Sequence, residues 1–174
     1  VVPLKPFNWL AVGYINLIQG TPLLGQLFVF FFGLPLFGLS VQPWTAAALS
    51  LSIYASAFFG EIWRGSLQSV SDRQWEAGAA LGLTYVQRLT HVVLPQAVLI
   101  SVAPTVGFLV QLVKNTSLTA LIGFVELTRA SQIISGATFA PLPVYLAAAA
   151  IYFVICFSLS QLARALERRL HVAR

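Results

Sequence analysis

Four stretches of the sequence are each about as long and as apolar as a helix that crosses a lipid bilayer. They cover residues 23–39, 44–63, 94–113 and 143–163, and the first can be extended back through WLAVGYINLI. A bilayer-spanning helix needs about 20 mostly apolar residues. The composition agrees, because 58% of the residues are hydrophobic and 9% are charged. We therefore predict an all-α membrane protein, a multi-span helical bundle with a single domain over residues 1–174.

The positive charges predict which way the chain crosses the membrane, since Lys and Arg collect in cytoplasmic segments. With four spans, one side receives nearly all of them: Lys5, Arg64, Arg73, Arg88, Arg164, Arg168, Arg169 and Arg174. The turn after the first span has no charge, and residues 115–142 contain one arginine. We therefore predict a multi-pass protein with a cytoplasmic C-terminus. Topology explains the net charge of +5, so nucleic acid is not an expected partner.

The second span carries two further patterns. Small residues recur at every fourth position, at Ala48, Ser52, Ser56 and Gly60. Such a stripe lets another helix approach closely, either within the fold or at the bundle centre or a subunit interface. Glu61 and Arg64 lie three residues apart on the same helix, so we expect them to pair.

The cytoplasmic segment 71–93 shows the signals of two short helices. Ser71 is followed three residues later by Gln74, and Thr84 is followed three residues later by Gln87. This spacing is typical of a capping box, in which the two side chains satisfy amides at a helix start. The segment therefore predicts two capped helices between the second and third spans.

The small residues of the first helix, and the residues that follow each helix, indicate where the helices end and what the first one could contact. Gly82 readily takes the left-handed conformation that ends a helix, and Leu94-Pro95 is expected to begin the next span. Gly78 and the small Ala77, Ala79 and Ala80 leave much of the first helix backbone thinly covered. Such a helix suits insertion into a groove of another protein. An ordinary loop with helical propensity is the alternative.

A family resemblance favours the docking helix. Glu76-Ala77-Gly78, then Gly82, then Val92-Val93-Leu94-Pro95 resembles the EAA loop of ABC importer permeases. The family pattern is Glu-Ala-Ala, three residues, Gly, nine residues, Ile-x-Leu-Pro, and the spacing here is the same. Gly78 stands in place of the third-position Ala, and Val92 in place of Ile.

Three more segments occur in the order of the family. YINLIQGTPLLGQLFVFFFGLP at 14–35, Tyr54 to Glu61 with Arg64-Gly65, and the segment 114–128 resemble permeases for polar amino acids of the histidine, glutamine and arginine type. The resemblance implies the MetI-like fold of type I importers, with the first span of the family missing. The sequence has no Met, so we expect that Val1 is not the natural N-terminus.

The resemblance also implies function and partners. Such permeases import amino acids across the bacterial cytoplasmic (inner) membrane, together with ABC ATP-binding subunits, a second permease subunit (identical or homologous) and an extracytoplasmic amino-acid-binding protein. This chain has no G-x-x-x-x-G-K-[ST] loop. ATP and Mg²⁺ would thus be bound by the partner ATPase, and we expect no cofactor, metal or catalytic residue in this chain. The residues expected to couple ATPase closure to the spans are Glu76, Ala77, Gly78, Gly82, Leu94 and Pro95. Glu76 would meet a basic residue of the ATPase or stabilise its own helix start.

Polar residues at membrane depth are the candidates for the substrate pathway. They are Gln111 and Asn115, four residues apart late in the third span, with Thr116, Ser117 and, in the first span, Gln26. The neutral Asn115 argues against a strongly cationic substrate. A channel or secondary carrier for small polar solutes, working without ATP, is the alternative. It would predict ionisable residues at mid-membrane, and the span centres contain none.

Overall fold

The computed structural model describes residues 5–172, which are mostly helical and contain no strand. Val1 and Arg174, and the side chains of Lys5 and Arg169, lie outside the described part. The helices are α1 (Lys5–Gln19), α2 (Leu23–Phe28), α3 (Pro43–Gln68), α4 (Asp72–Ala80), α5 (Tyr85–Gln87), α6 (Leu94–Asn115), α7 (Leu127–Thr138) and α8 (Pro141–Val172). Wider π turns at Val29–Gly33 and Arg88–Val93, and tighter 3₁₀ turns at Leu34–Phe37 and Thr116–Ile122, connect or extend them.

Three unbroken helical stretches are long and apolar enough to cross a membrane: Pro43–Gln68, Tyr85–Ile122 and Pro141–Arg168. A fourth candidate is a bent pair, Asn8–Gln19 with Leu23–Phe37. The four predicted spans therefore correspond to helices in the structure, with the first one bent. The all-α, multi-span prediction is confirmed.

The first span is bent because Gly20 and Pro22 interrupt its helix. Pro22 immediately precedes α2, and proline has no backbone N–H with which to continue a helical ladder. The buried amide nitrogen of Gln26 donates to the carbonyl oxygen of Ile18 and to the hydroxyl of Thr21, at 3.0 and 2.9 Å. The stretch before the bend is indeed helical. The helix before the bend, Asn8–Gln19, makes an angle of 97° with the helical stretch after it, so it is not a straight extension of the span.

Residues 85–122 form one continuous helical stretch of 38 residues, which we call the rod. The sequence predicted a short second helix and a new span at Leu94, and α5 and α6 do begin as predicted, but the structure joins them into one helical stretch where two separate helices were expected. The π turns explain the difference, because the Leu94 amide bonds to the carbonyl of Leu89, five residues back. This wider register lets the helix continue past Pro95, whose missing N–H would otherwise favour a break.

The core lies around α6, which packs between α3 and α8. Buried Phe108 stacks on Phe58 at 5.0 Å between ring centroids, and Phe59 meets its edge at 4.9 Å. A second cluster joins α2, α3 and the end of the rod, and it consists of Leu23, Leu27, Ala46, Ala47 and Ile122. Most of α8 keeps an exposed apolar surface, as expected for a helix facing lipid or another membrane chain.

The small-residue stripe and the Glu61–Arg64 pair, both predicted on the second span, lie on α3. The Tyr14 hydroxyl on α1 lies 2.6 Å from that of Ser56, and Ile15 packs beside Gly60. The small-residue stripe thus receives α1 over its later part. Arg64 and Glu61 form the predicted ion pair, with Arg64 Nε donating to Glu61 Oε2 at 2.8 Å.

Candidate functional site

The candidate coupling helix α4 begins and ends at its predicted signals. Ser71 caps it, because its hydroxyl accepts a hydrogen bond from the Arg73 amide at 3.3 Å. Gly82 follows it with φ of 75°, a conformation that glycine adopts without steric cost. The capping box at Ser71 is incomplete. The Gln74 side chain instead accepts a long hydrogen bond, 3.5 Å, from Gln96 on α6.

The second predicted capping box is confirmed, and it starts the rod. Thr84 Oγ1 accepts from the Gln87 amide at 3.4 Å, and Gln87 Oε1 accepts from the Thr84 amide at 2.9 Å. The rings of Trp75 on α4 and Tyr85 on the rod stack with centroids 5.5 Å apart. The turn between α4 and the rod is therefore held by a cap on one side and by aromatic packing across it.

The inner face of α4 packs on the rod. Trp75 contacts a small core formed by Val70, Val93 and Ala97. Gly78 is buried against Arg88, so that a Cβ at this position would lie 2.9 Å from Arg88 Cγ. Of the four small residues expected to leave this helix thinly covered, the three alanines are exposed, but Gly78 is covered. It is the point where an arginine side chain crosses the helix.

The exposed side chains of α4 are charged or polar in its first half and short in its second half. The exposed residues are Asp72, Arg73, Gln74, Glu76, Ala77, Ala79 and Ala80, and Leu81 at the end of the helix is 80% exposed. Further along the rod, Leu94 and Pro95 are also exposed. Apart from Leu81, the second half of α4 therefore exposes little side-chain bulk.

At the other end of the rod, the candidate pathway residues lie together. Gln111 Nε2 donates to Asn115 Oδ1 at 3.1 Å, which confirms that they share a helix face. The Thr116 hydroxyl donates to the Val113 carbonyl, and that of Ser117 to the Lys114 carbonyl, both at 2.7 Å. Each hydroxyl keeps lone pairs that can accept a further hydrogen bond. The cluster thus offers neutral polar groups at the end of α6.

Gln26 is used differently. It lies buried at the bend between α1 and α2, where its amide nitrogen donates hydrogen bonds to the Ile18 carbonyl and the Thr21 hydroxyl. Its amide oxygen is buried without a hydrogen-bond partner within the described part of the chain. No hydrogen bond described there joins it to the cluster at the end of α6. Its place in the substrate pathway remains a prediction, beside a clear structural role at the bend.

Tyr152 is a polar residue that the sequence analysis did not single out. Its hydroxyl donates to Glu126 Oε2 at 2.8 Å. The same carboxylate caps α7 by accepting from the amides of Thr128 and Arg129, at 2.8 Å each. Tyr152 also lines a cleft of about 460 Å³ between α8 and the end of α6, together with Lys114. A phenol within an apolar span was the signal available in the sequence.

Comparison with known proteins gives a consistent result. The family described as the binding-protein-dependent transport system inner membrane component matches residues 1–172. The L-cystine transport system permease protein TcyB of Bacillus subtilis (strain 168) is 40% identical over 167 residues, covering 95% of this chain and 71% of that protein. The glutamine transport system permease protein GlnP of Escherichia coli (strain K12) is 36% identical over 95% of this chain and 76% of its own length.

A solved structure agrees in fold. The crystal structure of an amino acid ABC transporter with histidines matches with a TM-score of 0.92 and 36% sequence identity, over 97% of this chain and 78% of that one. A match of this quality over nearly the whole chain includes both α4 and the rod. The chain therefore belongs to the inner membrane components of binding-protein-dependent transport systems, and among them to the amino acid ABC transporter permeases.

Proposed function

We propose that this chain is the membrane-spanning subunit of an ATP-driven importer of polar amino acids, in which a partner chain binds and hydrolyses ATP with Mg²⁺. One observation carries the proposal: α4 is packed onto the same continuous rod, Tyr85–Ile122, that bears the polar cluster at residues 111–117. A partner that displaces α4 would therefore move polar groups at the far end of the rod. Coupling requires such a physical connection between two sites.

In this proposal each coupling residue has a distinct task. Glu76 and Ala77 present the exposed face of α4 to the ATPase. Gly78 lets α4 pack closely on the rod, and Gly82 makes the left-handed turn between them. Leu94 and Pro95 continue the rod towards the membrane.

We further propose that α4 and the C-terminus face the cytoplasm of the bacterial inner membrane. Charges on two neighbouring helices support this orientation. On α8, Arg164 and Glu167 border α6 over residues 103–110. On α3, Glu61 and Arg64 lie just past the phenylalanines that stack on the same part of α6. Charged residues collect at membrane surfaces, so in this proposal the rod enters the membrane near residue 103, later than the predicted start of the third span at Leu94, and its earlier part stands in the cytoplasm.

Cysteine labelling tests this orientation. In full-length protein with Cys156→Ser, Ala80→Cys and Val98→Cys should react with a membrane-impermeant maleimide only in inside-out vesicles. Thr138→Cys, at the end of α7, should react only in right-side-out vesicles. Labelling of the first two from the outside would overturn the proposed topology.

We propose uncharged polar amino acids as the substrate class, because the candidate pathway residues at the end of α6 carry neutral amides and hydroxyls, and Lys114 beside them would repel a cationic side chain. The proposed partners are two ABC ATP-binding subunits, a second permease subunit, identical or homologous, and an extracytoplasmic amino-acid-binding protein. The exposed apolar faces of α8 support contact with lipid and with the second subunit.

Reconstitution tests the function. The full-length permease, its ATPase and its binding protein would be placed in proteoliposomes, and ATP hydrolysis and uptake would be measured for a panel of amino acids. Stimulation by one or a few polar amino acids, lost with an ATPase that binds but cannot hydrolyse ATP, is the expected result. Uptake that persists with the inactive ATPase would favour the channel or secondary carrier.

A further inference from the structure

We propose that Arg88 is a positioning residue that fixes α4 to the rod, and that position 78 is glycine because the Arg88 side chain occupies the space of a Cβ. The inference deepens the proposed function, since it rests on α4 being the coupling helix. In this inference, the close fit of Arg88 against Gly78 keeps α4 in a fixed position on the rod.

The contact between the two residues is close. A Cβ added at Gly78 would lie 2.9 Å from Arg88 Cγ and 3.2 Å from Arg88 Cδ. Cβ contacts below 3.0 Å are essentially never observed. Arg88 Cγ is only the second carbon of its side chain, so it cannot move aside as the far end of a flexible chain can. Any larger residue at position 78 therefore displaces either Arg88 or α4.

The same side chain reaches a second point on α4. Arg88 Nη1 donates to the carbonyl oxygen of Trp75 at 3.4 Å, and Trp75 lies one turn before Gly78. Arg88 thus touches two successive turns of α4 from one position on the rod.

Arg88 also lies at a defined place on the rod. It is the first residue of the π segment Arg88–Val93, and π turns inside helices occur frequently at functional sites. The capped turn at Thr84 holds the end of α4 next to the rod, and the stacking of Trp75 on Tyr85 holds its first half. Arg88 holds its middle, and its removal should let α4 rock about the turn at Gly82.

A set of substitutions separates size from charge. Arg88→Ala removes the side chain that crosses Gly78. Gly78→Ala keeps the arginine but takes its space. The double variant combines a small residue on each helix, so that the methyl group at position 78 fills part of the vacated space. Arg88→Met keeps the apolar stem without the guanidinium, and Arg73→Ala is a control arginine on α4 without this contact.

The position of α4 can be measured without reference to transport. Spin labels at Ala80→Cys on α4 and Ile100→Cys on α6, in full-length complex with Cys156→Ser diluted with unlabelled protein, report the distance between the two helices. We expect a narrow distance distribution for the parent and for Arg73→Ala, and a broad or shifted one for Arg88→Ala and Gly78→Ala. The double variant should be narrower than Gly78→Ala, and Arg88→Met should stay close to the parent.

A coupling ratio, amino acid imported per ATP hydrolysed, completes the test. We expect it to fall for Arg88→Ala and Gly78→Ala and to recover in the double variant. Unchanged distance distributions for Arg88→Ala, or no recovery in the double variant, would overturn the inference while leaving the proposed function intact. Changed distances with a constant ratio in every variant would overturn the inference that this contact serves coupling, whereas uptake by the parent that does not depend on ATP hydrolysis would overturn the proposed function.

Discussion

Replacing Gly82 with alanine should loosen α4 without removing any side-chain contact. The backbone there has φ of 75°, and an alanine in this left-handed region costs roughly 1–2 kcal/mol. The added Cβ would meet no atom within 4 Å, so the cost is conformational and not steric. It falls on a tight turn, in which the Gly82 amide bonds to the Ala79 carbonyl and the Leu83 amide to that of Gly78.

Hydrogen exchange by mass spectrometry on the purified full-length transporter measures this cost. A loss of 1–2 kcal/mol raises the population of the locally opened state roughly 5- to 30-fold. The amides of Gly82→Ala in the peptide covering residues 76–84 should exchange faster by about this factor, while those around Phe108 keep their rate. Gly82→Asn should have a smaller effect, because asparagine tolerates the left-handed region better than alanine.

Gly136 on α7 provides the matched control, since a Cβ there also meets open space but the backbone has no positive φ. Gly136→Ala should leave exchange in residues 76–84 unchanged. If Gly82→Ala also left it unchanged, the turn would not be what holds α4, and the reasoning from its backbone conformation would be refuted.

Three further predictions follow from contacts described above. Tyr152→Phe removes the donor to Glu126 but keeps the ring. Because a hydrogen bond to a charged group is worth about 1.5–3 kcal/mol, the melting temperature of the solubilised complex should fall by a few degrees, and an unchanged value would mean that the hydroxyl adds no stability. Glu76→Gln should weaken binding of the ATPase mainly at low salt, because exposed charges are screened as ionic strength rises; equal co-purification at all salt concentrations would exclude an ionic role. Asn115→Asp should shift the amino acid that stimulates ATP hydrolysis towards a cationic one, measured with the same panel; an unchanged preference would remove Asn115 from the pathway.

The sequence predicted those features that depend on near neighbours. The start of α4 at Ser71, its end before Gly82 and the cap at Thr84 are set by backbone groups within four residues, so their signals are local. The Glu61–Arg64 pair is local for the same reason. The spans follow from apolar length alone. The contacts that fix α4 in space are not of this kind.

The features that the sequence did not predict depend mostly on residues outside the local pattern. Leu94-Pro95 starts α6 as predicted, but the π segment that joins it to α5 without a break has no simple sequence signal. Gly78 was read as bare surface, since only the path of Arg88, ten residues later, shows that it is buried. Tyr152 reaches Glu126 across 26 residues of chain, a pairing that no local pattern predicts.

The rod can transmit motion only if it does not bend, and Pro104 is its weak point. A proline inside a helix removes one hydrogen bond of the ladder and favours a kink, yet Tyr85–Ile122 passes through this position as one helix. The neighbours supply the missing stiffness, because Phe58 packs on Phe108 one turn later and α8 borders the same stretch. The rod is therefore rigid only as part of the bundle. A displacement of α4 should move α3, α6 and α8 together around this level, so that the polar cluster at residues 111–117 shifts with all three helices rather than with α6 alone.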